Sequence, residues 1–429
     1  MKTTPLAFAL AFVVQQAPAQ THMTHEQMPM HTGGASAAGA HQKGMFGPYA
    51  MTREASGTSW QPDGTPMEGV HGMNGPWTTM IHGYVNLVYD HQSGARGDSQ
   101  SFAESMLMAT AQRPMGGGTL GLRAMASLDP TIGKRGYPLL FQTGETADGS
   151  APLIDRQHPH DLLMELAASY SHEVGPGAAV FGYAGLPGEP ALGPTAFMHR
   201  FSGMDNPEAP LTHHWLDSTH ITFGVLTAGY AWRKFKLEAS AFNGREPDEH
   251  RWNIETRKLD SASARLSWNP APQWSLQISR GRLDSPELLE PDVALRRTTA
   301  SASYQHALAS GPMQTTLAWG RNRKDPGATT DGYLLESALH IRRDTSLFGR
   351  FERVENDELF RDDEPLHGQV FKVRKLSVGF VRDFFSAGKV KFGAGALVSK
   401  YWAPAVLDSI YGASPSGYML FFRARIASD

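Results

Sequence analysis

From residue 77 onward the chain repeats segments, each about ten residues long, in which every second position is apolar. Leu120, Leu122, Ala124, Ala126 and Leu128 alternate with Thr119, Gly121, Arg123, Met125 and Ser127. Val390, Phe392, Ala394, Ala396 and Val398 alternate with Lys391, Gly393, Gly395 and Ser399, and Leu420, Phe422, Ala424 and Ile426 alternate with Arg423 and Arg425 at the end of the chain. A period of two belongs to a strand with one polar and one apolar face. Sixteen such strands are predicted, near 79–90, 102–112, 117–129, 162–174, 178–185, 219–231, 234–243, 259–268, 273–283, 297–307, 313–323, 333–343, 346–355, 373–384, 390–400 and 418–426. Helical spacing is rarely sustained.

The connectors between these strands alternate strictly between short and long. Arg113-Pro114-Met115-Gly116, Gly175-Pro176-Gly177, Asn269-Pro270-Ala271-Pro272, Ser310-Gly311-Pro312 and Ser386-Ala387-Gly388 are tight turns by composition, and the long connectors lie near 130–161, 186–218, 244–257, 284–296, 356–372 and 401–417. An even strand count with turns at one end and loops at the other predicts an all-β fold, a transmembrane antiparallel up-and-down barrel with its tight turns in the periplasm. A solenoid or propeller would need a repeated motif, and none is present.

Strand parity sorts the charges. The face opposite the apolar one carries His82, Tyr84, Asn86, Arg123, Glu165, Arg265, Glu336, His340, Arg342, Arg350, Glu352, Arg423 and Arg425, the expected lining of a polar lumen. A barrel of this strand number holds water unless its loops fill it. Toward the long loops, the outer face is expected to carry Arg245, Lys258, Arg280, Arg282, Arg296, Arg321, Arg323, Arg353, Lys372, Arg374 and Lys400, a basic rim at the height of lipopolysaccharide phosphates.

Composition narrows the function. With 39 basic and 42 acidic residues in 429, the chain lacks the cationic surplus of a nucleic-acid binder. Zero cysteines exclude disulfides, thiolate metal sites and a cysteine nucleophile. Lys2, the apolar run 5–14 and Ala17-Pro18-Ala19 ahead of Gln20 predict a signal peptide over 1–19, hence export. The stretch 20–76 is rich in Gly, Ser, Thr, Pro, His and Met without an apolar period, and is expected to be a disordered periplasmic tail, or one draped over something else, ahead of a barrel over 77–429.

The region 77–429 resembles the Gram-negative outer-membrane β-barrel proteins, porins and small-solute channels among them. That resemblance implies passive or weakly selective passage of a small solute, with no cofactor required, and insertion by the barrel-assembly machinery. The terminal aromatic which that machinery reads is replaced here by Ile426-Ala427-Ser428-Asp429, so Phe421 and Phe422 would serve instead.

The 18 His and 18 Met residues suggest a rival function in metal handling. His22, Met23, His25, Met28, Met30 and His31, followed by His41, Met45, Met51, Met67, His71 and Met73, offer soft thioether and imidazole donors suited to Cu(I) or Ag(I). In this the tail looks like the Met/His-rich leaders of outer-membrane copper-resistance proteins of the B type. A second group lies on two neighbouring long loops: His158, His160 and Asp161 on one, and His199, His213, His214, Asp217 and His220 on the other. His158 and His160, two apart on an extended segment, would point the same way toward a shared Zn(II) or Cu(II), with Asp161 and Asp217 orienting the imidazoles. The alternative is that these histidines bond to loop carbonyls or fold a loop inward as a plug.

Enzyme motifs are missing. There is no His-Glu-x-x-His, no Gly-x-Ser-x-Gly and no phosphate loop, and the glycine string 116–121 opens a strand rather than a helix. The third reading, a barrel serving as scaffold for an enzyme or adhesin, would draw on an outer-wall pair such as Ser303 and His306.

Overall fold

All sixteen predicted segments are strands in the structure, a computed structural model that describes residues 42–342 and 344–427. In chain order the strands are β1 (Val70–Asn74), β2 (Trp77–Gln92), β3 (Ser99–Met115), β4 (Gly118–Ala126), β5 (Tyr137–Thr146), β6 (Pro152–Gln157), β7 (Leu163–Gly175), β8 (Ala178–Gly185), β9 (Val225–Trp232) and β10 (Phe235–Phe242). They continue as β11 (Ser261–Trp268), β12 (Trp274–Leu283), β13 (Ala294–Leu308), β14 (Gly311–Asp325), β15 (Thr329–Ile341), β16 (Thr345–Asn356), β17 (Phe371–Ala387), β18 (Val390–Trp402) and β19 (Ser416–Ile426). Every strand from β2 to β19 except β5 and β6 pairs antiparallel with its neighbours, and β19 pairs back onto β2 with Gly417 opposite Gln92 and Arg425 opposite Tyr84, which closes the barrel. The short β1 folds back on β2, Val70 opposite Ile81 and Asn74 opposite Trp77, and so covers the edge that β2 extends beyond the end of β19.

Turns and loops segregate to opposite ends, with one difference from the expected alternation. β14 and β15 remain paired out to Arg323 and Thr329, so three residues, 326–328, join them at the loop end. Strand β9 also begins later than expected, because 219–224 belong to the preceding loop.

The outer wall is apolar. Leu107, Leu122, Leu226, Leu237, Ile278, Leu317, Leu335, Val378, Val398, Leu420 and Phe422 are exposed on it, and aromatic belts flank this band. Trp232, Phe235, Trp268 and Trp274 mark the short-turn end; Tyr89, Tyr333, Trp402 and Tyr418 mark the loop end. Ser303 and His306 do not form an outer-wall pair. Ser303 bonds inward-facing Thr316 at 2.9 Å, whereas His306, three residues on, is exposed on the other face.

Three segments of the same chain fill the interior. The first is 42–69, part of the stretch expected to be disordered or draped over something else, and it is packed inside the short-turn end. Phe46 is fully buried beside Phe181, at 5.1 Å between ring centroids, and Trp60 is buried as well. Its carbonyls are met by wall cations: Arg123 donates to Ala55 and Gly57, and Lys236 to Thr58. Arg265 adds a bond to Thr58 Oγ1 at 2.9 Å. The second segment is the loop 127–162, whose β5–β6 hairpin is buried along all ten residues of β5.

The third is the loop 186–224, clamped by ion pairs to the far wall. Arg200 reaches Glu336 at 2.6 Å and Asp217 at 2.8 Å, Arg350 reaches Glu336 at 3.0 Å, and Glu208 pairs with Lys375. Glu352 accepts from the Thr212 backbone and hydroxyl at 2.9 Å each, and Asp205 takes Arg423 and His340. Trp215 sits on the cross-strand pair Gly320 and Gly332, where a Cβ on Gly320 would stand 2.1 Å from the Trp215 carbonyl oxygen.

Most of the expected lumen lining is therefore bonded to inserted chain rather than to a water column. Arg342 is the exception in position, since it lies exposed in a turn after β15 with φ 53° and does not line the interior. Removing Glu336 would leave Arg200 and Arg350 buried against each other, so Glu336→Ala is expected to cost on the order of 3–5 kcal/mol in urea unfolding of the detergent-solubilised barrel. A loss under about 1 kcal/mol, the range of surface pairs, would show that this clamp does not hold the loop.

Candidate functional site

The two His-bearing loops meet inside the barrel. His213 and His214 lie on the helical turn His213–Leu216, and His220 ends the next one, Ser218–His220. The irregular stretch 158–161 brings in His158 and His160 from the other loop. Ring centroids are 5.1 Å apart for His213 and His220, 5.3 Å for His160 and His220, 5.5 Å for His213 and His214, and 5.8 Å for His158 and His214. Phe197 touches His160, His213 and His220 at 6.1, 5.4 and 6.1 Å.

Hydrogen bonding fixes the tautomer of three of these rings. His160 Nδ1 is 2.8 Å from Asp129 Oδ2, His213 Nδ1 is 2.8 Å from Asp217 Oδ1, and His220 Nδ1 is 2.8 Å from the Asp217 carbonyl oxygen. Carboxylates and carbonyls only accept, so each Nδ1 carries a hydrogen, which in a neutral ring leaves the lone pair at Nε2. All three Nε2 atoms are buried without a hydrogen-bond partner, and so are those of His158 and His214. Burial pushes His213 down to about 4 and holds His158, His220 and His199 well below the ordinary imidazole range, so these loop histidines are neutral at pH 7.

Two expected roles change. Asp161 does not orient a histidine; Arg251 takes it, at 3.2 Å, together with Glu145. The partner of His160 is Asp129, 31 residues earlier. His199 also leaves the group that sequence spacing gave it. It stands against His82 at 5.6 Å, with Nε2 3.2 Å from Met125 Sδ, while His82 Nε2 is 3.3 Å from Met108 Sδ. His82, Met108 and Met125 are direct cross-strand partners on β2, β3 and β4, a row readable from strand register though not from the order of residues along the chain. This row opens on a cavity of about 100 Å³ at the short-turn end, lined by Met45, Met51, Met67, Met80 and Met204 among others. Met73, by contrast, is exposed. His22, Met23, His25, Met28, Met30, His31 and His41 lie outside the described residues.

Toward the loop end, His214 faces Glu246 and Glu287, with one ligand atom of each within 4.8 Å of the others. Neither glutamate stood out in the sequence, being one acidic residue among many on its loop.

The basic residues of the outer face follow strand parity in the main. Arg282, Arg296 and Arg323 are direct partners across β12, β13 and β14, and Arg353 opposes Arg374 across β16 and β17. Arg280 is exposed on β12, Arg321 pairs with Asp331 at 2.9 Å, and Lys400 bonds Ser414. Arg245 differs: it lies in the loop after β10, where it bonds the Ser285 carbonyl at 2.8 Å and hydroxyl at 2.7 Å.

No protein-family model matches the chain, and no curated protein matches it in sequence. Among solved structures, Salmonella typhi OmpF in complex with daunomycin superposes with a TM-score of 0.51 at 7% identity, over 83% of this chain and 100% of its own. The anion-selective porin from Comamonas acidovorans gives 0.47 at 12% identity, covering 82% of this chain and 100% of its own. The outer-membrane channel DcaP of Acinetobacter baumannii gives 0.48 at 10% identity, covering 84% and 100%. The OmpF likeness shows a shared barrel fold.

A histidine whose folded-state pKa is depressed contributes stability above its unfolded value, about 6.5, and loses it as pH falls toward the folded value. For His213 that window runs from about 6.5 down to about 4. The wild-type urea midpoint is therefore expected to fall relative to that of His213→Gln, which does not titrate, between pH 7 and pH 4.5. Parallel curves across that range would contradict the buried neutral ring.

Proposed function

We propose that this chain is a small-solute channel of a Gram-negative outer membrane, its path narrowed by three segments of its own sequence. The observation that carries this reading is a closed barrel, apolar outside and charged inside. The OmpF fold likeness is consistent with it. A water needs roughly 10–15 Å³ of cavity. The interior spaces, about 100 Å³ at the short-turn end and about 40 Å³ at the loop end, hold a few waters or a small ion, which favours solutes of that size.

We also assign the arginine row to lipopolysaccharide. Like charges placed directly opposite across strands repel, and Arg282, Arg296 and Arg323 occupy three adjacent strands at the height of the loop-end aromatics. Arg282 reaches Asp284 at 3.4 Å and Arg296 reaches Asp325 at 3.6 Å, and phosphates of the outer leaflet would offset the repulsion that remains by charge-assisted pairing.

In planar bilayers, purified protein is expected to show small, ion-sized openings, and deletion of 42–69 to raise single-channel conductance several-fold. Silence from both proteins would favour a scaffold over a channel. Changing Arg282, Arg296 and Arg323 together to Gln is expected to leave conductance unaltered and to reduce the lipopolysaccharide that co-purifies; equal retention would remove the rim assignment.

A further inference from the structure

The cavity at the loop end is lined by the carboxyl side chains of Glu246, Glu287, Glu290, Asp357 and Glu358 and by only two cations, Arg297 and Lys324. We propose that His214, Glu246 and Glu287 bind one divalent transition cation of the Zn(II) type, which fastens the inserted loop 186–224 to the rim loops after β10 and β12. The site stands whether or not the barrel conducts.

Three separate parts of the chain build it. His214 lies on the helical turn His213–Leu216, and Asn322 of β14 donates to its backbone carbonyl at 2.8 Å. Glu246 follows β10 and Glu287 follows β12, and the Glu246 backbone N–H donates to the Pro286 carbonyl at 3.0 Å, which sets the two glutamates side by side. The Glu145 backbone N–H holds Glu287 through Oε2 at 3.2 Å. Gly144, at φ 110°, lies against the imidazole, where a Cβ would stand 2.4 Å from His214 Cε1, so the ring keeps this place only beside a glycine. One ligand atom of each of the three residues lies within 4.8 Å of the other two, and His214 Nδ1 is 3.7 Å from Glu246 Oε1. Around a tetrahedral Zn(II) with bonds of about 2.0–2.2 Å, donors stand about 3.4 Å apart, so closing on an ion needs shifts under about 1 Å.

The donors are not spent on hydrogen bonds. Glu246 Oε2 and His214 Nε2 are buried without a partner, and Glu246 as a whole is 8% exposed. A buried carboxylate oxygen left in this way is costly. The cations of the cavity are engaged elsewhere: Lys324 with Glu290 and Glu358, at 3.1 and 2.8 Å, and Arg297 with Ser218 and Asn322, at 2.9 and 3.1 Å. Burial and the neighbouring carboxylates accordingly push Glu246 and Glu287 above the usual carboxylate range. A divalent ion supplies the positive charge that this pair lacks. The adjoining space of about 40 Å³ also admits a water, which needs roughly 10–15 Å³, as a fourth ligand. An imidazole among the donors favours Zn(II) over Mg(II) and Ca(II), which select oxygen.

Full-length protein in detergent, stripped with a chelator, would be titrated calorimetrically with Zn(II) beside Glu246→Gln and Glu287→Gln. The wild type is expected to bind one equivalent of Zn(II) that each variant lacks or binds at least about 100-fold more weakly, the upper end of what loss of a mere supporting residue costs. Zn(II) is expected to raise the melting temperature of the wild type and not of the variants. Co(II) in place of Zn(II) is expected to give visible absorption bands that His214→Gln alters. Glu246→Gln keeps the side-chain shape and removes a buried charge, so it is expected to fold, which its melting temperature without metal checks; should it not, Glu287→Gln carries the test. Equal Zn(II) stoichiometry and affinity in the wild type and the folded variants would overturn the site and leave the two glutamates to share a proton. Displacement of the Zn(II) by an equal concentration of Mg(II) or Ca(II) would overturn it as well.

Discussion

An ionised side chain inside a membrane barrel must find either water or a partner, because the low-dielectric interior makes an unmatched charge far more costly than the same charge at a surface. Here the partner is the chain itself. Arg123, Lys236 and Arg265 meet carbonyl and hydroxyl oxygens of 42–69, while Glu336, Glu352 and Lys375 hold the loop 186–224. The charges that read as a water-lined wall are the fastenings of an internal plug. Everything placed inside the barrel, the imidazoles included, inherits its position from them.

The sixteen wall strands were legible because a lipid-facing surface tolerates few polar interruptions, so the apolar half of the alternation survives in almost every strand. The plug left no such trace. The segment 42–69 buries scattered residues such as Met45, Phe46 and Trp60 and satisfies its backbone through side chains far away in sequence. Strand β5 is buried on both faces and so shows no period of two. For the site, residue type pointed correctly to the loop histidines, but proximity in sequence chose Asp161 where the fold uses Asp129. His82, Met108 and Met125 sat on strands already identified, and only the register between those strands makes them neighbours.

The His and Met excess thus divides in space: part lies outside the described residues, part is a thioether-rich group at the short-turn end, and part is an imidazole group gathered around Phe197. The last two are linked through Phe197, Met198 and His199, three consecutive residues on one helical turn. A single loop supplies the hinge between two kinds of donor chemistry, and its hold on the wall through Arg200 and Glu336 controls both.

The contact between Thr65 and Gln314 spans 249 residues, and that between Arg53 and the Arg233 carbonyl spans 180. A segment near the start of the chain is thus anchored to strands synthesised much later, while the seam that shuts the cylinder joins β19 to β2. Interior packing this non-local is slow to form. It also imposes an order of assembly: once the seam is zipped the plug has little room to thread, so the wall must fold around its contents rather than be filled afterwards.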